Sequence, residues 1–208
     1  MIRTIDGKAL KTALILLAVL LPGFAPRGRA ADGRRLSLGI AGGYFYPGRD
    51  SFRGVYGKSI WPVDLRLGWA LSRRLDLGIG ARYLGASGHT VLLQPWRPEE
   101  AYALRLQVLA LRLGLIAWMG ERRIVPFLGA GVQYAFFKEK WSDVPLEAQG
   151  RKAGFFAQGG GRFRLGRSFY ALLQLDYSFL PAGEWSGVEK KVDLGGLGLS
   201  LGVGALLF

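Results

Sequence analysis

The feature that most constrains the fold is an alternation of large apolar residues with charged or very small ones. From 63 to 71 the odd positions hold Val, Leu, Leu, Trp and Leu, whereas the even positions hold Asp, Arg, Gly and Ala. From 75 to 83 the same pattern returns. Side chains on a β-strand point alternately to two faces, so each run predicts a strand with one apolar face. Only 72–74 separates the two runs, which predicts a tight hairpin.

Read along the chain, this pattern predicts eight strands, at 36–46, 60–71, 74–84, 101–118, 124–137, 152–166, 168–179 and 191–207. The connections after strands two, four and six are short, and the other connections are long. That alternation predicts an all-β, antiparallel, up-and-down barrel with both ends on the side of the short turns. Ten strands remain an alternative if the first and third long connections, 47–59 and 138–151, contain hairpin extensions.

The fourth predicted strand departs from simple alternation. Its apolar positions run through Leu104 and Leu106 and then switch parity to Leu109 and Leu111. A switch of parity within one strand requires one extra residue, so we expect a β-bulge near Val108.

The N-terminal segment has the pattern of a secretory signal peptide. Basic residues between positions 3 and 11 precede an apolar run from Ala13 to Leu21, and small residues precede a cleavage site before Ala31. As a helix this run would span only ~14 Å, well short of the ~30 Å membrane core. The predicted organisation is a signal peptide at 1–30 and one barrel domain at 31–208.

A period of two does not say which face lies inside, so a soluble, lipocalin-like carrier with an apolar interior is one alternative. The polar face favours the inverted arrangement, because it is rich in Arg and Asp and poor in Lys and Glu. Arg beside Asp is typical of a packed ion-pair network in a narrow lumen. The predicted lumen network comprises Asp64, Arg66, Asp76, Arg82, Arg105, Arg112, Arg162, Arg164, Asp176 and Asp193.

Aromatic residues cluster near the predicted strand ends, where membrane barrels carry interfacial girdles. They include Tyr44, Phe45, Trp61, Trp118 and Phe179. The chain also has an opening strand with the run GGYFYP at 42–47 and an aromatic C-terminal residue. With these features the sequence resembles the small outer-membrane β-barrel families of the OmpA/OmpX type, over most of 36–208.

The resemblance implies an eight-stranded transmembrane β-barrel in the outer membrane of a Gram-negative-type bacterium. It also implies that the last strand, with Leu206 and Phe208, is the signal that the outer-membrane assembly machinery reads. The expected partners are therefore outer-membrane lipids and that machinery, together with an unknown ligand that the long extracellular loops could bind.

The positive charge of the chain is not spread evenly. The net charge is +13, and much of it falls in the predicted lumen and at the predicted periplasmic turns. We hypothesise that the basic rim contacts inner-leaflet phosphates, with ordinary solvated turn charge as the alternative. Because no basic stripe follows an accessible face, nucleic-acid binding is not expected. The rim comprises Arg73, Arg74, Arg122, Arg123 and Arg167.

The sequence offers little catalytic chemistry. It has no cysteine and one histidine, so thiolate sites and histidine metal sites are not expected, and no cofactor is predicted. Ser87 and His89 fall in the second long connection, where a lipid A-modifying enzyme is one alternative, although the His-x-Ser-Asn run of the deacylases is absent.

An eight-stranded barrel encloses a lumen just wide enough for side chains. The sequence therefore predicts a plugged, Arg/Asp-lined interior and a structural, envelope-interaction or surface-interaction role without catalysis. A narrow channel is the remaining alternative.

Overall fold

The computed structural model describes residues 36–58, 60–91, 101–120, 123–141, 147–180 and 194–207. Within these residues the sheet closes on itself in sequence order, so that the first strand pairs with the eighth and every neighbouring pair is antiparallel. The predicted eight-stranded antiparallel barrel is confirmed. The strands are β1 Leu36–Pro47, β2 Val63–Ala70, β3 Leu75–Val91, β4 Ala101–Trp118, β5 Ile124–Trp141, β6 Glu147–Leu165, β7 Phe169–Phe179 and β8 Gly196–Leu207.

Several strands are longer than predicted at the end with the long connections. β3 continues to Val91 and β5 to Trp141, and β6 begins at Glu147, in segments that the sequence suggested were loops. These segments lack the large alternating apolar residues, yet their backbones stay paired with the neighbouring strands. The long connections therefore begin further along the chain, and no ten-stranded arrangement occurs in the described part of the barrel.

The first long connection contains an element that the sequence did not predict. A helix of seven residues, α1 (Asp50–Tyr56), follows β1. The described part of the chain contains no helix that is long and apolar enough to cross a membrane.

The expected β-bulge near Val108 is wrong. β4 pairs with β3 without interruption, from Ala117 opposite Leu75 to Ala101 opposite Val91. The apolar residues at the even positions of β4 point inward in one continuous series, namely Leu104, Leu106, Val108 and Ala110. The prediction assumed that apolar residues of a strand point outward. At this end of the barrel the lumen is also filled with apolar side chains, so the polarity of a residue does not indicate whether it points inward or outward.

The outer wall of the barrel is apolar. Directly opposed residues in an antiparallel sheet share a face, and Ile79 lies opposite Leu113, which is 47% exposed. Leu201 at the centre of β8 is 68% exposed, whereas Arg82 on β3 is only 2% exposed. A soluble carrier would have the opposite polarity, with apolar residues inside. The lipocalin-like alternative is therefore wrong.

Candidate functional site: the barrel interior

The interior consists of three layers between the long connections and the short turns. An apolar layer lies at the end of the long connections. An ion-pair layer centred on Arg82 lies in the middle, and a cavity layer lies toward the short turns. Each layer is defined by its residues below.

The apolar layer is formed by α1 and by inward side chains at the strand ends. Phe52 and Tyr56 of α1 are 3% and 8% exposed, and their ring centroids lie 4.8 Å apart. The helix backbone rests directly on β3, because a Cβ atom at Gly88 would lie 2.0 Å from the Val55 carbonyl oxygen. The buried strand residues of this layer are Phe45, Ile60, Leu84, Ala86, Leu104, Leu106, Val108, Ala110, Ala135, Phe137, Trp141 and Leu180.

Polar contacts fix the position of α1. Arg53 donates a hydrogen bond to the Pro47 carbonyl at 2.8 Å, and its guanidinium lies 4.7 Å from the Tyr46 ring centroid. Burial and the negative charge of the buried Glu139 raise the pKa of the Tyr56 phenol.

Arg82 is the centre of the ion-pair layer. Its Nε and Nη2 atoms donate to the two Asp64 oxygens at 2.7 and 2.8 Å. Its Nη1 and Nη2 atoms donate to the two Asp176 oxygens at 2.6 and 2.7 Å. Strands β3 and β7 are four places apart in the eight-stranded ring, so this contact crosses the lumen. A Cβ atom at Gly198 would lie 2.7 Å from Asp176 Oδ1, so the neighbouring strand needs glycine there.

Arg112 extends the ion-pair layer toward β5 and β6. Its Nη2 atom lies 3.5 Å from Asp176 Oδ2, and its Nε atom donates to Gln133 Oε1 at 3.2 Å. Gln133 in turn donates to the Phe155 carbonyl at 3.1 Å. Arg112 is only 8% exposed, so its long contact with a carboxylate already shared with Arg82 leaves its charge incompletely balanced.

Arg66 completes the ion-pair layer. It donates a hydrogen bond to Gln174 Oε1, and its Nη2 atom lies 3.6 Å from Asp64 Oδ2. That Nη2 atom is buried and has no hydrogen-bond partner among the described residues. The layer thus contains three arginines and two aspartates, which leaves one positive charge in excess.

The cavity layer encloses about 70 Å³ of open space. On its wall Trp118 donates a hydrogen bond to Asp76 Oδ2 at 2.7 Å. The guanidinium carbon of Arg162 lies 3.8 Å from the Trp118 ring centroid and 5.7 Å from that of Tyr170. Tyr170 donates to the Leu38 carbonyl at 3.3 Å. Arg66 and Arg112 border the same cavity from the ion-pair layer.

The structure brings most of the predicted lumen residues into these layers. Arg164 is partly buried on the inward face of β6, and Asp193 lies outside the described residues. The residues that the layers bring together are Asp64, Arg66, Asp76, Arg82, Arg112, Arg162 and Asp176.

The assignment of Arg105 to the lumen is wrong. Arg105 is exposed on the outer face, between Ser87 of β3 and Lys140 of β5. The prediction depended on the β-bulge, and an unbroken β4 that points Arg112 inward must point Arg105 outward. Arg105 lies near the end of the long connections, where a charged side chain can reach water or lipid headgroups.

Sequence reasoning also misplaced two aromatic residues. Phe45 and Trp118 were assigned to the outer girdles, but Phe45 is 2% exposed in the apolar layer, and Trp118 hydrogen-bonds Asp76 inside the lumen. Glu139, which is 5% exposed, was not predicted to lie inside. Glu139 and Gln133 are both at odd positions, so on one continuous strand they share a face. The sequence analysis ended that strand at residue 137 and therefore assigned Glu139 to a loop.

The predicted rim and assembly residues that the structure describes lie at the end with the short turns. Leu206 packs inward against Phe127, Tyr170 and Leu172, while Phe208 lies outside the described residues, so the assembly signal stays a prediction. Arg122 also lies outside them. The exposed rim arginines that the structure describes are Arg73, Arg74, Arg123 and Arg167.

Ser87 and His89 lie on the extended part of β3, and both are exposed on its outer face. No hydrogen bond joins them within the described residues. That part of the chain also contains no group of three metal-ligating side chains.

The sequence matches no protein-family model and no curated protein. Solved structures do match. The outer membrane protein OprG from Pseudomonas aeruginosa aligns with a TM-score of 0.60 at 16% identity, over 83% of this chain and 96% of that one. This chain has the fold of a small outer-membrane β-barrel protein. Neisserial surface protein A aligns with a TM-score of 0.51 at 11% identity, over 83% and 96% of the two chains. The outer-membrane fold accounts for the apolar outer wall, which such barrels present to lipid.

Proposed function

We propose that the protein is a closed barrel of the outer membrane, with a structural or envelope- and surface-interaction role and no catalysis. The observation that carries the proposal is the Arg82 bridge, which joins β2 and β3 to β7 across the lumen. Bidentate arginine–carboxylate pairs are geometrically specific, so the bridge is a fixed barrier rather than a loose side chain.

The apolar layer supports the same proposal. α1 and the side chains around it fill the end of the barrel that carries the long connections. Desolvated apolar surface offers no favourable path for an ion or a polar solute. Two barriers of different chemistry therefore lie in series, and the cavity layer borders the second of them.

We expect the purified barrel to show no porin-sized conductance steps in planar bilayers. Replacing α1 with a glycine–serine linker removes the helix of the apolar layer but keeps the Arg82 bridge. We therefore expect that variant to show no porin-sized conductance steps either. A general porin in the same bilayers is the positive control. Porin-sized steps from the unmodified barrel would overturn the proposal, and steps from the linker variant alone would place the barrier in α1.

We also propose that the rim arginines bind anionic phospholipid. Arg73 and Arg74 are adjacent and exposed in the β2–β3 turn. Each basic residue near an anionic surface contributes about 1 kcal/mol of attraction. The double variant Arg73→Glu/Arg74→Glu should insert less well into anionic liposomes but equally well into neutral ones. The matched control Lys58→Glu/Arg151→Glu makes the same charge change toward the end of the barrel with the long connections. An equal loss of insertion into anionic liposomes for this control would contradict the proposal.

The proposal gives Ser87 and His89 no catalytic role. A serine nucleophile needs a general base within hydrogen-bond reach. The two side chains share the outer face of β3, but no hydrogen bond in the described structure activates the serine. The described residues therefore give the lipid A-modifying alternative no Ser–His pair in hydrogen-bond contact to support it.

A further inference from the structure

The cavity layer contains cationic side chains that the described carboxylates do not balance. Arg162 is 9% exposed, makes no ion pair within the described residues, and has a buried Nε atom without a hydrogen-bond partner. Asp76 is the described carboxylate that acts electrostatically on Arg162, and it already accepts a hydrogen bond from Trp118. Burying an unbalanced guanidinium costs free energy unless another group supplies the negative charge.

The orientation of Arg162 leaves its donors available. Its guanidinium is stacked on the Trp118 ring at 3.8 Å, so its flat face is occupied. The N–H groups of a guanidinium lie in its plane and point away from the stacked ring. Arg162 borders the cavity and donates no hydrogen bond within the described residues, so its N–H groups have no acceptor there.

Two more guanidinium groups border the same cavity. Arg112 is 8% exposed and reaches its carboxylate only at 3.5 Å, and Arg66 has a buried Nη2 atom without a hydrogen bond. The charged residues that border the cavity are three arginines, at 66, 112 and 162, and two aspartates, at 64 and 76. The excess is one positive charge; Arg164, which does not border the cavity, is outside this count.

We propose that the cavity binds one small inorganic anion, such as chloride, against Arg162, with Arg66 and Arg112 on the wall of the same cavity. The open volume of about 70 Å³ accommodates a monatomic anion together with bound water. A single monovalent anion cancels the excess charge. The anion stabilises the folded barrel, because it binds the closed lumen and not the unfolded chain.

The test compares urea unfolding of the detergent-solubilised full chain in sodium chloride and in sodium gluconate at equal ionic strength. We expect a higher urea midpoint in chloride. Above the dissociation constant, each tenfold increase in chloride should raise the folding equilibrium constant about tenfold. Equal midpoints in the two salts would overturn the proposal.

Two variants separate the site from general salt effects. Arg162→Met removes a cavity cation and should abolish the chloride dependence, whereas Arg73→Met makes the same charge change on an exposed turn and should keep it. A chloride effect that survives Arg162→Met would overturn the proposal. If Arg162→Met does not fold, the test is a crystal structure of the unmodified protein grown with sodium bromide. We expect an anomalous bromide peak beside the Arg162 guanidinium, and the absence of that peak would overturn the proposal.

Discussion

Replacing Arg82 with alanine should lower the free energy of unfolding by about 3–5 kcal/mol, because the change leaves two buried carboxylates without their partner. Asp64 and Asp176 are 2% and 1% exposed, and each accepts two hydrogen bonds from Arg82. The quantity to measure is the urea dependence of tryptophan fluorescence for the barrel folded into lipid vesicles.

Two further variants make the Arg82 experiment specific. Arg66→Ala removes a partly exposed arginine of the same layer, whose closest carboxylate contact is 3.6 Å, and should cost clearly less. The triple variant Asp64→Asn/Arg82→Met/Asp176→Asn removes the charges together and should recover much of the loss, since uncharged replacements of a buried ion-pair group are often neutral. A loss below about 1 kcal/mol for Arg82→Ala, the range of exposed pairs, would contradict the lumen bridge.

The fold could be predicted where the two faces of a strand differ in chemistry. In 63–69 and 75–83 the outward residues are mostly large and apolar and the inward ones are Asp, Arg or Gly, so alternation alone identified both strands and their hairpin. In β4 the inward residues change from apolar at Leu104 to charged at Arg112. Both faces are apolar over part of this strand, and the sequence then carries no signal for which face is inside.

The sequence predicted the residue types of the interior but not their partners. Arg82 and Asp64 are cross-strand neighbours, and their pairing follows from the β2–β3 register. Asp176 lies 94 positions further along the chain than Arg82, and only closure of the ring brings the two together. Likewise, Phe52, Val55 and Tyr56 of α1 have the i, i+3, i+4 spacing of a helix, but seven residues are too few for that spacing to predict one. The helix forms where Gly88 leaves room for its backbone, which is a tertiary constraint.

A second large effect is expected on the outer wall, where Leu201→Arg should lower the free energy of unfolding by about 2–4 kcal/mol in a bilayer. Leu201 lies at the centre of β8 and is 68% exposed, so its side chain projects from the middle of the wall. Around this position the neighbouring strands offer Gly42 and Leu173, neither of which can pair with a guanidinium. The arginine would have to remain in hydrocarbon or distort the bilayer to reach water.

The depth dependence of that cost separates a membrane wall from a solvated one. Leu165 is the last residue of β6, beside a short turn, and at 54% exposed it is nearly as accessible as Leu201. In a bilayer Leu165→Arg should cost only about 0–1 kcal/mol, because charged residues become tolerable near the interface. In water, two exposed leucines replaced by arginine should differ little, since surface changes usually remain within about 0.5 kcal/mol. Equal losses at the two sites during urea unfolding from vesicles would show that β8 does not face lipid, whereas a loss confined to Leu201→Arg follows directly from an apolar wall that spans the membrane.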